Sequence, residues 1–185
     1  MEDSTIIDLY WQRSEQAIAE TDKKYGKLCH RIAYNILSNQ EDAEETVNDT
    51  YMTAWKRIPP TRPVVFAGYL GKITRYISIN RWNEQTAKKR GGGQIPAALD
   101  ELQDCADDRE DVEHICESKD VIRSYNAFLG TLPQQERNCF LRRYFYMDSI
   151  DDIACATGFS RSKVTSMLYR TRKKLKQHLE TEGYL

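Results

Sequence analysis

Seven cations stand between Ser160 and His178 (Arg161, Lys163, Arg170, Arg172, Lys173, Lys174 and Lys176) with no carboxylate among them, in a 185-residue chain whose formal net charge is -1. Guanidinium and ammonium groups pair with phosphates, and Ser, Thr and Arg near a helix start reach base edges, so this stretch has the chemistry of DNA binding. Arg161, Ser162, Lys163, Thr165 and Ser166 are expected nearest the bases. Arg170, Arg172 and Lys173 are expected to follow the phosphate backbone, with Tyr169 on the same face.

A helix-turn-helix must position these groups. Val164, Leu168, Thr171 and Leu175 fall at i, i+4, i+7 and i+11, one buried helical stripe, and leave Ser162, Thr165, Ser166, Tyr169, Arg172, Lys173 and Lys176 outward. Before it, Ser149 with Asp152 reads as a helix start and Ile150, Ile153 and Ala154 as an inner stripe. Gly158 supplies the left-handed turn, Phe159 plugs the corner, and Ser160 caps the second helix.

The N-terminal part offers two further faces. Thr5 to Glu20 is helical in character, with Ile6, Leu9 and Tyr10 for packing, and Tyr25, Leu28, Ile32 and Ile36 follow helical spacing. A turn at Ser38 to Glu41 then opens a helix whose first turns carry Glu41, Asp42, Glu44 and Glu45, where the helix dipole favours acids. Its buried stripe is Ala43, Val47, Tyr51, Ala54, Trp55 and Ile58, which leaves Asp42, Glu45, Asn48, Asp49 and Thr53 as an acidic, polar face. Pro59, Pro60 and Pro63 stop that helix in a loop from Ile58 to Val64. In the next helix Phe66, Leu70, Ile73 and Ile77 point inward and Lys72, Arg75, Tyr76, Arg81 and Trp82 mostly outward. From Tyr69 to Arg90 six cations face Glu84 alone; interleaved with Tyr69, Tyr76 and Trp82, they suit unpaired nucleic acid.

Between the two parts, Gly91-Gly92-Gly93 precedes a run from Asp100 to Glu117 that holds nine acids against Arg109. Such a run cannot bury enough apolar surface to form a core, and is expected to be a flexible linker able to lie on the basic faces. The expected fold is all-α: a helical domain over 1–90, a Gly/acidic linker over 91–118, and a helix-turn-helix domain over 119–185. No apolar run approaches the roughly 20 residues that span a bilayer, and Met1 to Thr5 lacks a signal-peptide pattern, so the expected location is the cytoplasm without membrane insertion. The five cysteines (Cys29, Cys105, Cys116, Cys139 and Cys155) form no Cys-x-x-Cys pair. Neither disulfide framework nor zinc knuckle is indicated, and Cys105, His114 and Cys116, which could in principle meet at a metal, are loosely spaced ligands in an acidic stretch and weak evidence for one. His30 and His178 have no partner pattern. No nucleotide-binding glycine loop and no nucleophile-base pair stands out, so neither an enzyme nor a cofactor is expected.

Four segments carry a resemblance. Glu41-Asp42-Ala43-Glu44-Glu45-Thr46-Val47-Asn48-Asp49-Thr50-Tyr51 with Ala54-Trp55-Lys56-Arg57 resembles the polymerase-binding helix of the sigma-70 family, and Tyr69-Leu70-Gly71-Lys72-Ile73-Thr74-Arg75 the start of its promoter-melting helix. Leu132-Pro133-Gln134-Gln135-Glu136-Arg137 with Phe140, Leu141 and Tyr144 resembles the opening of the family's C-terminal region. Ser160-Arg161-Ser162-Lys163-Val164-Thr165-Ser166 with Arg170-Thr171-Arg172 resembles the recognition helix that ends it. The order of parts is that of the extracytoplasmic-function type, which has only the second and fourth regions, and the likeness covers nearly all of the chain except the linker.

The resemblance implies a sigma factor that directs core RNA polymerase to promoter DNA and helps open it. Asp42, Glu45, Asn48 and Asp49 would dock on the clamp of the large polymerase subunit, where outward acids and amides meet basic residues. The loop with Arg62 would capture a flipped base of the minus-10 motif, and Lys72, Arg75, Tyr76, Asn80 and Arg81 would hold the opened strand. The C-terminal recognition helix would read the minus-35 element, and an anti-sigma factor is the usual further partner. Two departures stand out: Tyr76 and Asn80 occupy positions where the family commonly has an asparagine and an aspartate, and the proline-rich loop carries Arg62 as its only charge. A stand-alone helix-turn-helix regulator is the alternative. It calls for an apolar dimerisation seam or sensor pocket in the N-terminal part, where the pattern instead gives an acidic and a basic face. A thiol or metal sensor built on Cys105, Cys116 and His114 is the third reading.

Overall fold

A computed structural model describes residues 1–88, 98, 101 and 119–184. The chain divides into two compact units, Met1–Gly93 and Gln94–Leu185. Among the described residues every regular element is a helix.

The first unit holds α1 (Asp3–Trp11), α2 (Gln16–Leu37), α3 (Gln40–Arg57) and α4 (Phe66–Lys88). The expected single stretch from Thr5 to Glu20 is broken at residues 12–15, where Arg13 takes a φ of 57°. Tyr10 and Ala17 both face the core across this break. Arg13 Nη1 donates to the Trp55 carbonyl at the end of α3 (2.6 Å), a long-range anchor with no local sequence signal. Ser38 ends α2 in the left-handed conformation, and Asn39 Oδ1 accepts the Asp42 N–H (3.1 Å) to start α3. Glu41 and Asp42 in the first turn and Lys56 and Arg57 in the last complement the α3 dipole.

Tyr10, Phe66, Leu70, Val47, Tyr51, Ala54 and Ile58 share one apolar core. Phe66 meets Tyr10 and Tyr25 edge-on, with centroids 5.9 and 5.7 Å apart. Trp55, expected inside, is only partly buried against this core, and Ile77 is half-buried. At Gly26 an added Cβ would lie 3.4 Å from the Tyr51 hydroxyl of α3 and 2.6 Å from Asp22 Oδ1 of its own helix, the atom that accepts the Tyr51 hydroxyl (2.9 Å).

Small hydroxyls line the seam between α3 and α4. Thr50 Oγ1 donates to the Thr46 carbonyl (2.8 Å) and lies 3.2 Å from Thr74 Oγ1, while Thr74 and Ser78 donate back to Leu70 and Thr74 carbonyls (2.9 and 2.8 Å). The Thr50, Thr74 and Ser78 hydroxyls are thereby satisfied within their own helices, whereas the buried Thr46 hydroxyl of α3 has no hydrogen-bond partner. Pairing of Thr50 with Thr74 and of Asp42 with Gln85 makes the two helices antiparallel. The same register carries Arg81, one turn beyond Ser78, onto the acidic side of α3.

The second unit holds α5 (Lys119–Thr131), α6 (Gln134–Tyr144), α7 (Ile150–Thr157) and α8 (Arg161–Thr181). Its core is built from Phe128, Leu132, Phe140, Tyr144, Met147, Ile153, Val164, Leu168 and Leu175. α8 packs against α5, α6 and α7. The expected local signals appear as hydrogen bonds. Ser149 Oγ accepts the Asp152 N–H (3.1 Å), Ser160 Oγ accepts the Lys163 N–H (3.2 Å), and Gly158 has φ +71°. His178, for which no partner was expected, meets Ser124 Oγ at 2.9 Å and ties α8 to α5.

Two residues upstream of α5 belong to this unit. Ala98 is buried, and Glu101 sits against α6 and α8. Gly91 to Gly93, the acidic run beyond Glu101, Cys105, His114 and Cys116 lie outside the described residues.

Candidate DNA-reading and docking faces

The caps and turn of the helix-turn-helix leave the first turns of α8 open. Arg161, Ser162, Lys163, Thr165, Ser166, Tyr169, Arg170 and Lys173 are all exposed. Val164, Met167, Leu168, Thr171 and Leu175 are buried beneath them. Lys163 Nζ lies 3.5 Å from the centroid of the Phe159 ring, a cation–π contact that holds the ammonium at the helix start. Arg161 Nε is 3.1 Å from Asp151 Oδ1, an exposed pair worth little against a phosphate. Further along, Thr165, Ser166, Tyr169, Arg170 and Arg172 line one shallow concavity. Lys173 Nζ lies 5.6 Å and Arg172 Cζ 5.9 Å from the Tyr169 centroid.

Arg172 is not the free outward cation that helical spacing suggests: its side chain is 15% exposed. Its Nη1 donates to Glu101 Oε2 (3.0 Å) and to the Tyr144 hydroxyl (2.6 Å). Arg143, at the end of α6 and 9% exposed, donates to Glu101 Oε1 (2.6 Å) and to the Asp148 carbonyl (3.0 Å). The Tyr144 hydroxyl completes the cluster at 2.7 Å from Glu101 Oε2. Two guanidiniums this deeply placed need a counter-charge, and Glu101 supplies it. Burial alone would raise the Glu101 pKa, but hydrogen bonds from Arg143 and Tyr144 and the charges of Arg143 and Arg172 outweigh it, and the carboxyl is held below the usual range. Nothing in the local sequence separates Glu101 from its eight acidic neighbours in the run.

On the first unit, α3 presents Glu45 and Asn48 as exposed groups and Asp42 and Asp49 as half-buried ones. Arg81, expected to point outward, is turned onto this face and is 18% exposed. Its Nη1 lies 2.6 Å from Glu45 Oε2 and 3.9 Å from Asp42 Oδ1, and its Nη2 lies 3.0 Å from Asp49 Oδ2. Gln85, whose uncharged side chain carries no signal in the sequence, donates to Asp42 Oδ2 (3.1 Å). The Glu45 hydrogen bond above all, then the nearby acid charges, hold the guanidinium firmly protonated against its partial burial.

The remaining candidate strand contacts divide. Lys72 and Tyr76 are exposed on α4, while Arg75 and Asn80 are half-buried. Tyr69 packs against the core and stacks on Phe66, so it is no free stacking platform. Arg62 pairs with Asp8 Oδ1 (2.6 Å) and lies over the Trp11 ring (5.9 Å), contacts to α1 that sequence spacing gave no hint of. Val64 and Val65, beside it in the loop, are exposed. Among the described residues no cluster of His, Cys, Asp and Glu could hold a metal, and no helix is long and apolar enough to cross a membrane. Cys29 and Cys139 are buried and Cys155 is exposed, all as free thiols.

Fold and faces thus define a two-unit helical protein with a helix-turn-helix and a separate acidic helix face. Residues 22–88 match Sigma-70 region 2 and residues 122–175 match Sigma-70 region 4, and between them the matches cover well over half of the chain. The chain belongs to the sigma-70 family, as a member of its extracytoplasmic-function type. It is similar to the ECF RNA polymerase sigma factor SigE of Mycolicibacterium smegmatis, 22% identical over 160 residues, which are 86% of this chain and 60% of that relative. The chain therefore spans about 60% of the relative's length. Among solved structures it aligns with that of CnrH in complex with the cytosolic domain of CnrY, at 16% identity over 97% of both chains and a TM-score of 0.45.

Proposed function

We propose that this protein is a dissociable specificity subunit that directs core RNA polymerase to a set of promoters and assists DNA opening, and that it acts in the cytoplasm without being a catalyst itself. The carrying observation is the capped helix-turn-helix, whose exposed α8 face over residues 161–178 bears cations and hydroxyls and no carboxylate, almost wholly within the segment that matches region 4. In this reading Arg161, Ser162, Lys163, Thr165 and Ser166 read minus-35 base edges, and Tyr169, Arg170 and Lys173 follow the phosphates. Arg172 lies at the rim of that surface and keeps its Glu101 partner.

The α3 face, with Asp42, Glu45, Asn48 and Asp49, docks on the basic clamp of the large polymerase subunit. Lys72 and Tyr76, together with Arg62, Arg75 and Asn80, contact the opened strand near the minus-10 motif. Extruding a base costs a few kcal/mol, which ring stacking and phosphate pairing at such a surface offset. An anti-sigma factor that covers the exposed faces is the expected regulator.

The test is size-exclusion chromatography of the purified chain with bacterial core polymerase, with each alone as control. Co-elution at sub-micromolar concentration is the expected result. Absence of association, together with tight specific duplex binding by the chain alone, would replace this reading with that of a stand-alone regulator.

A further inference from the structure

We propose that Arg81 is a positioning residue for the polymerase-docking face of α3 rather than a contact to the melted strand. The inference rests on the sigma-factor reading of that face. Asp42, Glu45 and Asp49 stand at i, i+3 and i+7 of one helix, so their charges crowd one surface and repel one another. Side chains in that situation spread over many rotamers, and a partner must order them as it binds. Arg81 removes this penalty in advance. It enters from the neighbouring helix and spreads its planar fork over all three acids, with Nη1 2.6 Å from Glu45 and 3.9 Å from Asp42, and Nη2 3.0 Å from Asp49.

Exposure settles which side faces a partner. The Glu45 and Asp49 side chains are 66% and 50% exposed, with the cation beneath them at 18%. Each carboxylate gives one oxygen to the fork and remains accessible at the surface. The Thr50–Thr74 seam and the Gln85–Asp42 hydrogen bond fix the height at which α4 delivers the guanidinium. A DNA phosphate could use Arg81 only by stripping it from three anions, so the strand-contact role falls to the exposed Lys72 and Tyr76.

The experiment titrates labelled full-length chain with core polymerase, comparing wild type with Arg81→Gln and Arg81→Lys, and then measures capture of fork-junction promoter DNA by each holoenzyme at saturating core. Arg81→Gln keeps the alkyl packing and removes the charge; its core affinity is expected to fall about tenfold, chiefly through faster dissociation. Arg81→Lys should recover part of the loss, because an ammonium can serve one carboxylate but not span three. DNA capture by the saturated holoenzymes should match wild type. Unchanged core affinity with weakened DNA capture would return Arg81 to the strand and overturn the proposal. Tighter core binding by Arg81→Gln would make the arginine a competitor and overturn it equally. Should wild type itself fail to bind core, the sigma-factor reading fails, a result distinct from either. Far-UV circular dichroism of both variants shows whether the helices are intact, and rescue by lysine separates positioning from loss of fold.

Discussion

Replacing Glu101 tests whether the first part of the acidic run is a working piece of the C-terminal unit. In Glu101→Ala, Arg143 and Arg172 keep their charges and lose the carboxylate that holds both, at 2.6 and 3.0 Å, together with the 2.7 Å bond from Tyr144. Stranding one member of a fully buried pair costs roughly 3–5 kcal/mol. Glu101 is 27% exposed, and water reaches part of the cluster, so the lower end applies: about 3 kcal/mol for alanine and about 2 kcal/mol for glutamine, whose carbonyl still accepts. For a unit of this size each kcal/mol moves the midpoint by roughly 4–8 °C, so Glu101→Ala should lower it by about 12 °C or more. The assay is built into the chain, because all three tryptophans, Trp11, Trp55 and Trp82, lie in the first unit. Tryptophan fluorescence then follows the first unit alone, while far-UV circular dichroism follows both. The expected outcome is a lowered transition in the dichroism with the fluorescence midpoint unmoved. A dichroism midpoint within about 2 °C of wild type, or equal shifts in both signals, would show that Glu101 does not hold Arg143 and Arg172.

The same cluster has a pH signature. Glu101 is held below its ordinary pKa in the fold, so its contribution is fully present above the unfolded value and is lost as pH falls through the folded one. The stability gap between wild type and Glu101→Gln should therefore stay constant from neutrality to about pH 5 and close in more acid solution, as denaturant titrations at several pH values would show. Gly158→Ala meets no atom within 4 Å but must adopt φ +71°; it should destabilise the second unit by about 1 kcal/mol, read from the same dichroism transition. Arg161→Ala with Lys163→Ala should weaken holoenzyme binding to a minus-35 duplex and lower the salt slope by about 0.9 per lost phosphate contact. An unchanged slope would remove both residues from the DNA face.

Local physics made the helix-turn-helix legible in the sequence. Ser149 and Ser160 cap because a short hydroxyl can accept a free amide three residues on, Gly158 turns because it lacks a Cβ, and the Val164, Leu168, Thr171 and Leu175 stripe follows from 3.6 residues per turn. Each signal is complete within a dozen residues, and so are the acids that open α3 and the prolines that follow it. Only the tertiary structure decided where individual charges go. Arg172 and Lys173 are neighbours on one helix, yet Arg172 reaches Glu101, 71 residues away, while Lys173 stays in solvent. Arg81 finds Glu45 and Asp49 across separations of 36 and 32 residues, in a register set by the threonine seam of α3 and α4. A charged side chain looks the same in sequence whether it is solvated or paired; which of the two it becomes depends on what packing brings within about 4 Å, where Coulomb attraction and hydrogen bonds together can offset the cost of desolvation.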